Sequence, residues 1–218
     1  MIGFDQHSPH HAYDLFTHTA HVTAGVSADL TLRWAALLHD TGKVAAFTQD
    51  ESGRGHFYGH AQKSAEIADN VLRRLKAPTA LREQAGLLIG QHMTTLTPDK
   101  KLLRRRVSRL GWDTLDALLT LQEADMGGKG TGITEEGDVF PEIRAVLAEI
   151  RAENACLTVK DLAVNGNDLL ALGYRGKAIG ETLNALLEGV LDETLPNERQ
   201  ALLDRARQEM KNDGIPSE

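Results

Sequence analysis

Six residues could do chemistry together: His18, His39, Asp40, His60, His92 and Asp125. Each interrupts an apolar face or stands at the end of a helical pattern. His39 and Asp40 are the most telling, because they close the apolar stretch WAALLHDTGK at residues 34–43. A buried, unpaired aspartate is costly, so something must compensate Asp40. A metal ion is one answer; a nearby cation or backbone donors are the other. Imidazole nitrogen with carboxylate oxygen suits a divalent ion such as Mn, Fe, Co, Ni or Zn, with Mg as a further candidate. The set contains no thiolate, which argues against a structural zinc site of the cysteine type. One or two ions could be held. Adjacent helical residues point about 100° apart, so His39 and Asp40 reach one ion only where the helix ends. Gly42 is placed to end it.

Each ligand has a plainer reading. His18 could be a core imidazole, with His21 competing for its role, and Asp125 could cap a helix before Gly127 and Gly128. His39 and Asp40 could be a helix-end hydrogen-bonded pair. Lys43 could meet a phosphate or form a salt bridge, and Arg54 is a weaker candidate of the same kind. His7, His10 and His11 read as loop or surface residues, with His11 near the pocket entrance.

The elements that must position these residues read as helices throughout. Periodicity predicts helices over about 12–25, from a Ser27 N-cap to 39, 60–76, 79–92, 98–110 behind Thr97-Pro98, 113–125 and 141–153. Residues 44–59 read as a long polar loop. A change of character near 155–160 precedes a short helix at 168–172, the turn GYRGK, an apolar-faced helix over 177–193, and a last helix opened by an Asn197/Gln200 capping box. Trp34 and Trp112 are assigned to core packing. The expected fold is all-α, a helical bundle over 1–155 with a smaller helical extension over 156–218. Ligands spaced roughly 20 to 30 residues apart let five helices each deliver one to a common point.

Composition narrows the setting. The chain has 218 residues, a formal net charge of −7 and 41% hydrophobic residues. The charge argues against binding nucleic acid over the whole surface, while leaving room for a local basic patch. One such patch is DKKLLRRRVSRL, with Lys100, Lys101, Arg104 and Arg105; a second is GYRGK, where Arg175 and Lys177 flank a helix N-terminus that attracts anions. The plainer readings are a solvated helix face and a glycine turn. The single cysteine, Cys156, permits no internal disulfide and fits a reducing cytoplasm. No apolar run approaches a membrane span, and the opening stretch reads as no signal peptide.

The motifs also carry a resemblance. His18-Thr19, LLHDTGK at 37–43 and Asp125 in QEADMGG resemble the HD-domain metal-dependent phosphohydrolases. Within that superfamily, SPHHAYDLFTHTAHV, FTQDESGRGHFYGHAQKSAE, QHM and DLAVNGNDLLALGYRGKAIGETLNALLEGVL are similar to the C-terminal half of bacterial CCA-adding tRNA nucleotidyltransferases. The likeness covers about residues 5–205. The Gly-Ser loop and acidic triad of nucleotidyl transfer are not in this sequence, so by itself it is not expected to add nucleotides. The resemblance implies an HD-domain bundle and metal-dependent hydrolysis of nucleotide or RNA-end phosphoesters, of the 2′,3′-cyclic phosphodiesterase or phosphatase type. In that scheme Asp40 is ligand and proton acceptor, Lys43 stabilises phosphoryl charge, and His56 or His60 protonates the leaving group. The alternative it implies is a tRNA- or RNA-binding module whose metal site is not catalytic. Hydrolysis of an alarmone nucleotide is a third reading.

Overall fold

In the computed structural model, residues 1–5, 12–130 and 139–212 are described. His7, His10 and His11 lie outside them. The fold is all-α, as expected. In chain order the helices are α1 (Leu15–Gly25), α2 (Leu30–Leu38), α3 (Lys43–Ala46), α4 (His60–Arg74), α5 (Thr79–Gln91), α6 (Lys100–Leu110), α7 (Trp112–Gly127), α8 (Phe140–Ala152), α9 (Gly166–Ala171), α10 (Lys177–Leu191) and α11 (Arg199–Asn212). A short 3₁₀ turn covers Val159–Asp161. Among the described residues no helix is long and apolar enough to cross a membrane.

Aspartates cap three helices, two of them where other caps were expected. Asp14, Asp29 and Asp99 accept hydrogen bonds from the backbone N–H three residues on, at 2.7, 2.8 and 2.7 Å. Asp29 therefore replaces Ser27, and Asp99 replaces Thr97. A carboxylate satisfies an orphan N–H and meets the positive end of the helix dipole. The Asn197/Gln200 capping box does not form. Asn197 instead accepts from Ala163 N and donates to Asp161 O, while Gln200 reaches Asp204. The loop over 44–59 is also more ordered than its polarity suggests. It holds α3 and a two-residue antiparallel hairpin, β1 (Thr48–Gln49) with β2 (Gly55–His56), pairing Thr48 with His56.

The chain divides into two compact units, though not at a single point near 155. One comprises Met1–Leu96 and Trp112–Pro141; the other comprises Thr97–Gly111 and Glu142–Glu218. Helix α6 thus belongs with the C-terminal elements. In the first unit, α4 packs along α5, α2 on α5, and α1 on both α2 and α7. The buried stripe of α4 is His60, Ser64, Ala68 and Leu72, a strict four-residue repeat, while Leu75 is exposed. Trp34 and Trp112 are only half-buried. Leu72 is fully buried, so Leu72→Ala is expected to lower stability by about 2–5 kcal/mol. Denaturant unfolding of the two proteins checks this.

In the second unit, α10 packs on α6, α9 and α11. Its buried face is Thr182, Leu183, Leu186, Leu187 and Leu191. Tyr174 is buried and its hydroxyl donates to Ala206 O of α11 at 2.7 Å.

Candidate metal centre

The six candidate ligands come together inside the first unit. His18 lies in α1, His39 ends α2, Asp40 follows it, His60 opens α4, His92 ends α5 and Asp125 lies near the end of α7. Five of the six side chains are buried, and Asp125 is the partly exposed one. Helix termini suit this work, because the chain turns there and can aim adjacent residues at one point. His21, by contrast, is exposed and lies tilted against Tyr13 with ring centroids 4.8 Å apart. That resolves its competition with His18.

Two donor groups share Asp40. Its Oδ2 lies 3.4 Å from His18 Nε2 and 3.3 Å from His39 Nε2. Asp125 Oδ1 completes this group at 3.0 Å from His18 and 3.4 Å from His39. On the other side, Asp40 Oδ1 lies 3.3 Å from His60 Nε2 and 3.6 Å from His92 Nε2. These two imidazoles stand 3.2 Å apart, Nε2 to Nε2. Within each group all ligating atoms fall within 4.8 Å of one another.

Every ring is oriented by its far nitrogen. The Nδ1 atoms of His18, His39, His60 and His92 meet the carbonyl oxygens of Gly128, Ala36, Phe57 and Ile89 at 3.0, 2.8, 2.8 and 2.7 Å. A carbonyl can only accept, so each Nδ1 carries the proton. In the neutral ring the Nε2 lone pair then points into the cluster, the usual arrangement of metal-binding histidines. Gln122, one turn before Asp125 on α7, donates to both His92 O and Thr94 O at 2.8 Å, fixing the end of α5.

The electrostatics call for positive charge at this point. Burial disfavours charge on His39 but is outweighed by Asp40 and Asp125, which push its pKa up to about 10. Burial likewise opposes ionisation of Asp40 and is overcome by His39, His18 and His60, which hold the carboxyl well below its usual range. Asp125 is lowered in the same way, and His18 is raised. Both Asp40 oxygens and His39 Nε2 are buried without a well-formed hydrogen bond among the described residues. Lys43 Nζ stands 2.7 Å from Asp40 Oδ2 in an ion contact. Protons and one lysine can thus neutralise the carboxylates, yet the convergent Nε2 and oxygen atoms fit a divalent cation better. The donor chemistry passes that test: hard oxygen and borderline nitrogen, without sulfur.

Several other expected residues are placed differently. Lys43 is buried against Asp40, with its ammonium 5.4 Å from the Phe57 ring, and it lines a cavity beside the ligands. His56 stays out of the ligand cluster. Its Nε2 pairs with Asp50 Oδ2 at 2.8 Å and its ring stacks on Tyr58. With Arg54, Tyr58 and Lys129 it lines this cavity, of about 310 Å³, whose wall also includes Asp40, His60, His92 and Asp125. Sequence reasoning missed Lys129 and Tyr58 there, and Gln122 and Gly128 behind the ligands. Only Gln122 left a signal, its i,i+3 spacing from Asp125.

The basic run of α6 meets carboxylates of its own unit. Lys100 pairs with Glu153, and Lys101 with Asp192 at 3.1 Å. Arg104 reaches Glu153 at 3.1 Å and Glu193 at 2.5 Å, and Arg105 reaches Asp192 at 2.5 Å. All four basic side chains thus have carboxylate partners within their own unit. Arg175 and Lys177 are exposed. The Arg175 guanidinium donates to Leu170 O and Tyr174 O, and Lys177 makes a 3.4 Å surface pair with Glu181. Gly176, at φ +59°, is the N-cap of α10 and supplies no side-chain cap.

The geometry can be set beside known proteins. An A-adding tRNA nucleotidyltransferase of Deinococcus radiodurans is 35% identical over 95% of this chain and 50% of its own length. A CC-adding tRNA nucleotidyltransferase of Thermus thermophilus is 32% identical over 86% of this chain and 43% of its own. A multifunctional CCA protein of Thioalkalivibrio sulfidiphilus is 32% identical over 85% and 44%. The chain spans about half the length of these relatives. No solved structure matches. These names overturn the expectation that the chain is an HD-domain phosphohydrolase or phosphodiesterase acting on nucleotide phosphoesters. The first two relatives are named as nucleotidyltransferases, and their names lend no support to the hydrolytic class in which Asp40, Lys43, His56 and His60 were given catalytic roles. The sequence pattern of tRNA nucleotidyltransferase domain 2 matches residues 57–206, which include His60, His92, Asp125 and the GYRGK turn. The chain belongs to the tRNA nucleotidyltransferase domain 2 family.

Proposed function

We propose that this chain is an RNA-docking body module of the tRNA nucleotidyltransferase type, carrying a divalent-metal centre that braces its helices. The observation that carries the reading is the family match across residues 57–206, supported by relatives named for their action on tRNA. Arg175 and Lys177 are the proposed phosphate contacts. They are exposed and flank the start of α10, where free backbone N–H groups and the helix dipole favour an anion. The metal centre holds Mn, Fe, Co, Ni or Zn, because imidazole ligands are poorly matched to Mg. Two ions share Asp40. Their charge offsets the buried carboxylates at a point where α1, α2, α4, α5 and α7 end or meet. No chemistry on RNA is assigned to them.

Binding of labelled tRNA tests this. Arg175→Ala combined with Lys177→Ala is expected to weaken binding roughly tenfold and to flatten its salt dependence by one to two released counterions. Equal affinity of the wild type for tRNA and for unstructured RNA of the same length would overturn the reading, as would an unchanged double variant.

A further inference from the structure

Gly42 and Ser64 join the turn that carries Asp40 to the helix that carries His60. The Ser64 hydroxyl accepts the Gly42 N–H at 2.9 Å, and both groups are buried. Ser64 lies one helical turn beyond His60; Gly42 lies two residues beyond Asp40. The approach of the two segments needs the missing side chain. A Cβ on Gly42 would stand 2.5 Å from His60 O and 2.7 Å from Ser64 N. Backbone therefore packs directly on backbone at the first turn of α4, and α3 packs along the same helix.

The two donor groups depend on this contact unequally. His18, His39 and Asp125 belong to α1, α2 and α7, and the His18 and His39 rings are braced by Gly128 O and Ala36 O. Helix α2 also packs on α4, but α4 neither carries nor braces any of these three side chains. His60 does, and its 3.3 Å approach to Asp40 Oδ1 is set by how closely α4 meets the turn after Asp40.

We infer that Ser64 is a positioning residue for one of two ion positions, the one formed by Asp40, His60 and His92. The inference rests on the metal reading of the cluster. The hydroxyl touches no ligand atom; it fixes His60 against the carboxylate that both ions share. Losing it loosens the His60 side, while α1, α2 and α7 continue to hold the other three ligands around Asp40 Oδ2.

The test is a Co(II) titration of the metal-stripped full chain, followed by calorimetry and by Co(II) absorption. Wild type is expected to bind two ions. In Ser64→Ala the first should bind within about threefold of wild type and the second roughly tenfold to 100-fold more weakly, as for other groups that orient ligands. Ser64→Thr keeps the hydroxyl and should restore the second ion. Equal weakening of both ions, or none, would overturn the positioning role while leaving the metal centre standing. The same holds if Ser64→Ala fails to fold while Ser64→Thr folds, since the hydroxyl would then be a structural requirement. Wild type that binds only one ion overturns the inference, and wild type that binds none overturns the metal reading itself.

Discussion

Asp40→Ala is expected to abolish tight divalent-ion binding at both positions, a loss of at least 100-fold at each. Among the described residues, Asp40 alone contributes to both donor groups: Oδ2 faces His18 and His39, and Oδ1 faces His60 and His92. His92→Ala, in contrast, removes a donor from only one group and should spare the other ion. Stability should suffer as well. Lys43 is buried with its ammonium 2.7 Å from Asp40, and stripping away that carboxylate removes this close ion contact from a buried charge. Breaking such a pair from one side costs about 3–5 kcal/mol. Calorimetric metal titration and denaturant unfolding read the two effects separately. Retention of one tight ion by Asp40→Ala would show that the donor groups do not share this residue in solution.

Stripping the metal is expected to make the protein sensitive to alkali. In the metal-free fold His39 keeps its second proton up to about pH 10, while an ordinary imidazole releases it near 6.5. A raised pKa of this kind contributes stability that is fully present below pH 6.5 and is lost as pH rises through 10. Asp40 and Asp125 act on the other side. Their lowered values contribute stability present above the ordinary 3.8 and lost as pH falls through the folded values. The metal-free protein should therefore be most stable between about pH 4 and 6.5 and lose on the order of a few kcal/mol by pH 10. A divalent ion supplies the same positive charge without a proton. Metal-loaded protein should hold its melting temperature across the alkaline range, and the gap between loaded and stripped curves should widen with pH. Ion affinity should rise up to about tenfold per pH unit for each proton displaced. Parallel melting curves from pH 6 to 9.5 would show that His39 is not protonated in the metal-free fold.

Much of this was legible in the chain itself. Helical periodicity made the fold all-α, because apolar residues at three- and four-residue spacing can be buried only on one face of a helix. Polar residues at the ends of those stripes marked His18, His39, Asp40, His60, His92 and Asp125, and all six converge. Residue type was enough here, since histidine and aspartate at buried positions demand a partner wherever they lie. The motifs also carried the kinship to tRNA nucleotidyltransferases. They did not carry the reaction: the hydrolytic class came from superfamily likeness, and the relatives themselves are named for another chemistry.

What only the tertiary structure decided concerns pairing over distance. Local sequence says that α6 is basic, but not that Glu153, Asp192 and Glu193 come from far along the chain to meet it. The same holds for His56, which has an aspartate in its own hairpin and so stays out of the cluster. It holds too for Gly42 and Ser64, whose meeting depends on how closely two backbones approach. Spacing along a chain fixes which side chains share a helix face. Which charges neutralise each other, and which ring faces which carboxylate, is set when helices distant in sequence pack. The sequence alone therefore determined an all-α chain with a buried histidine–aspartate set. Packing turned that set into two donor groups around one shared carboxylate.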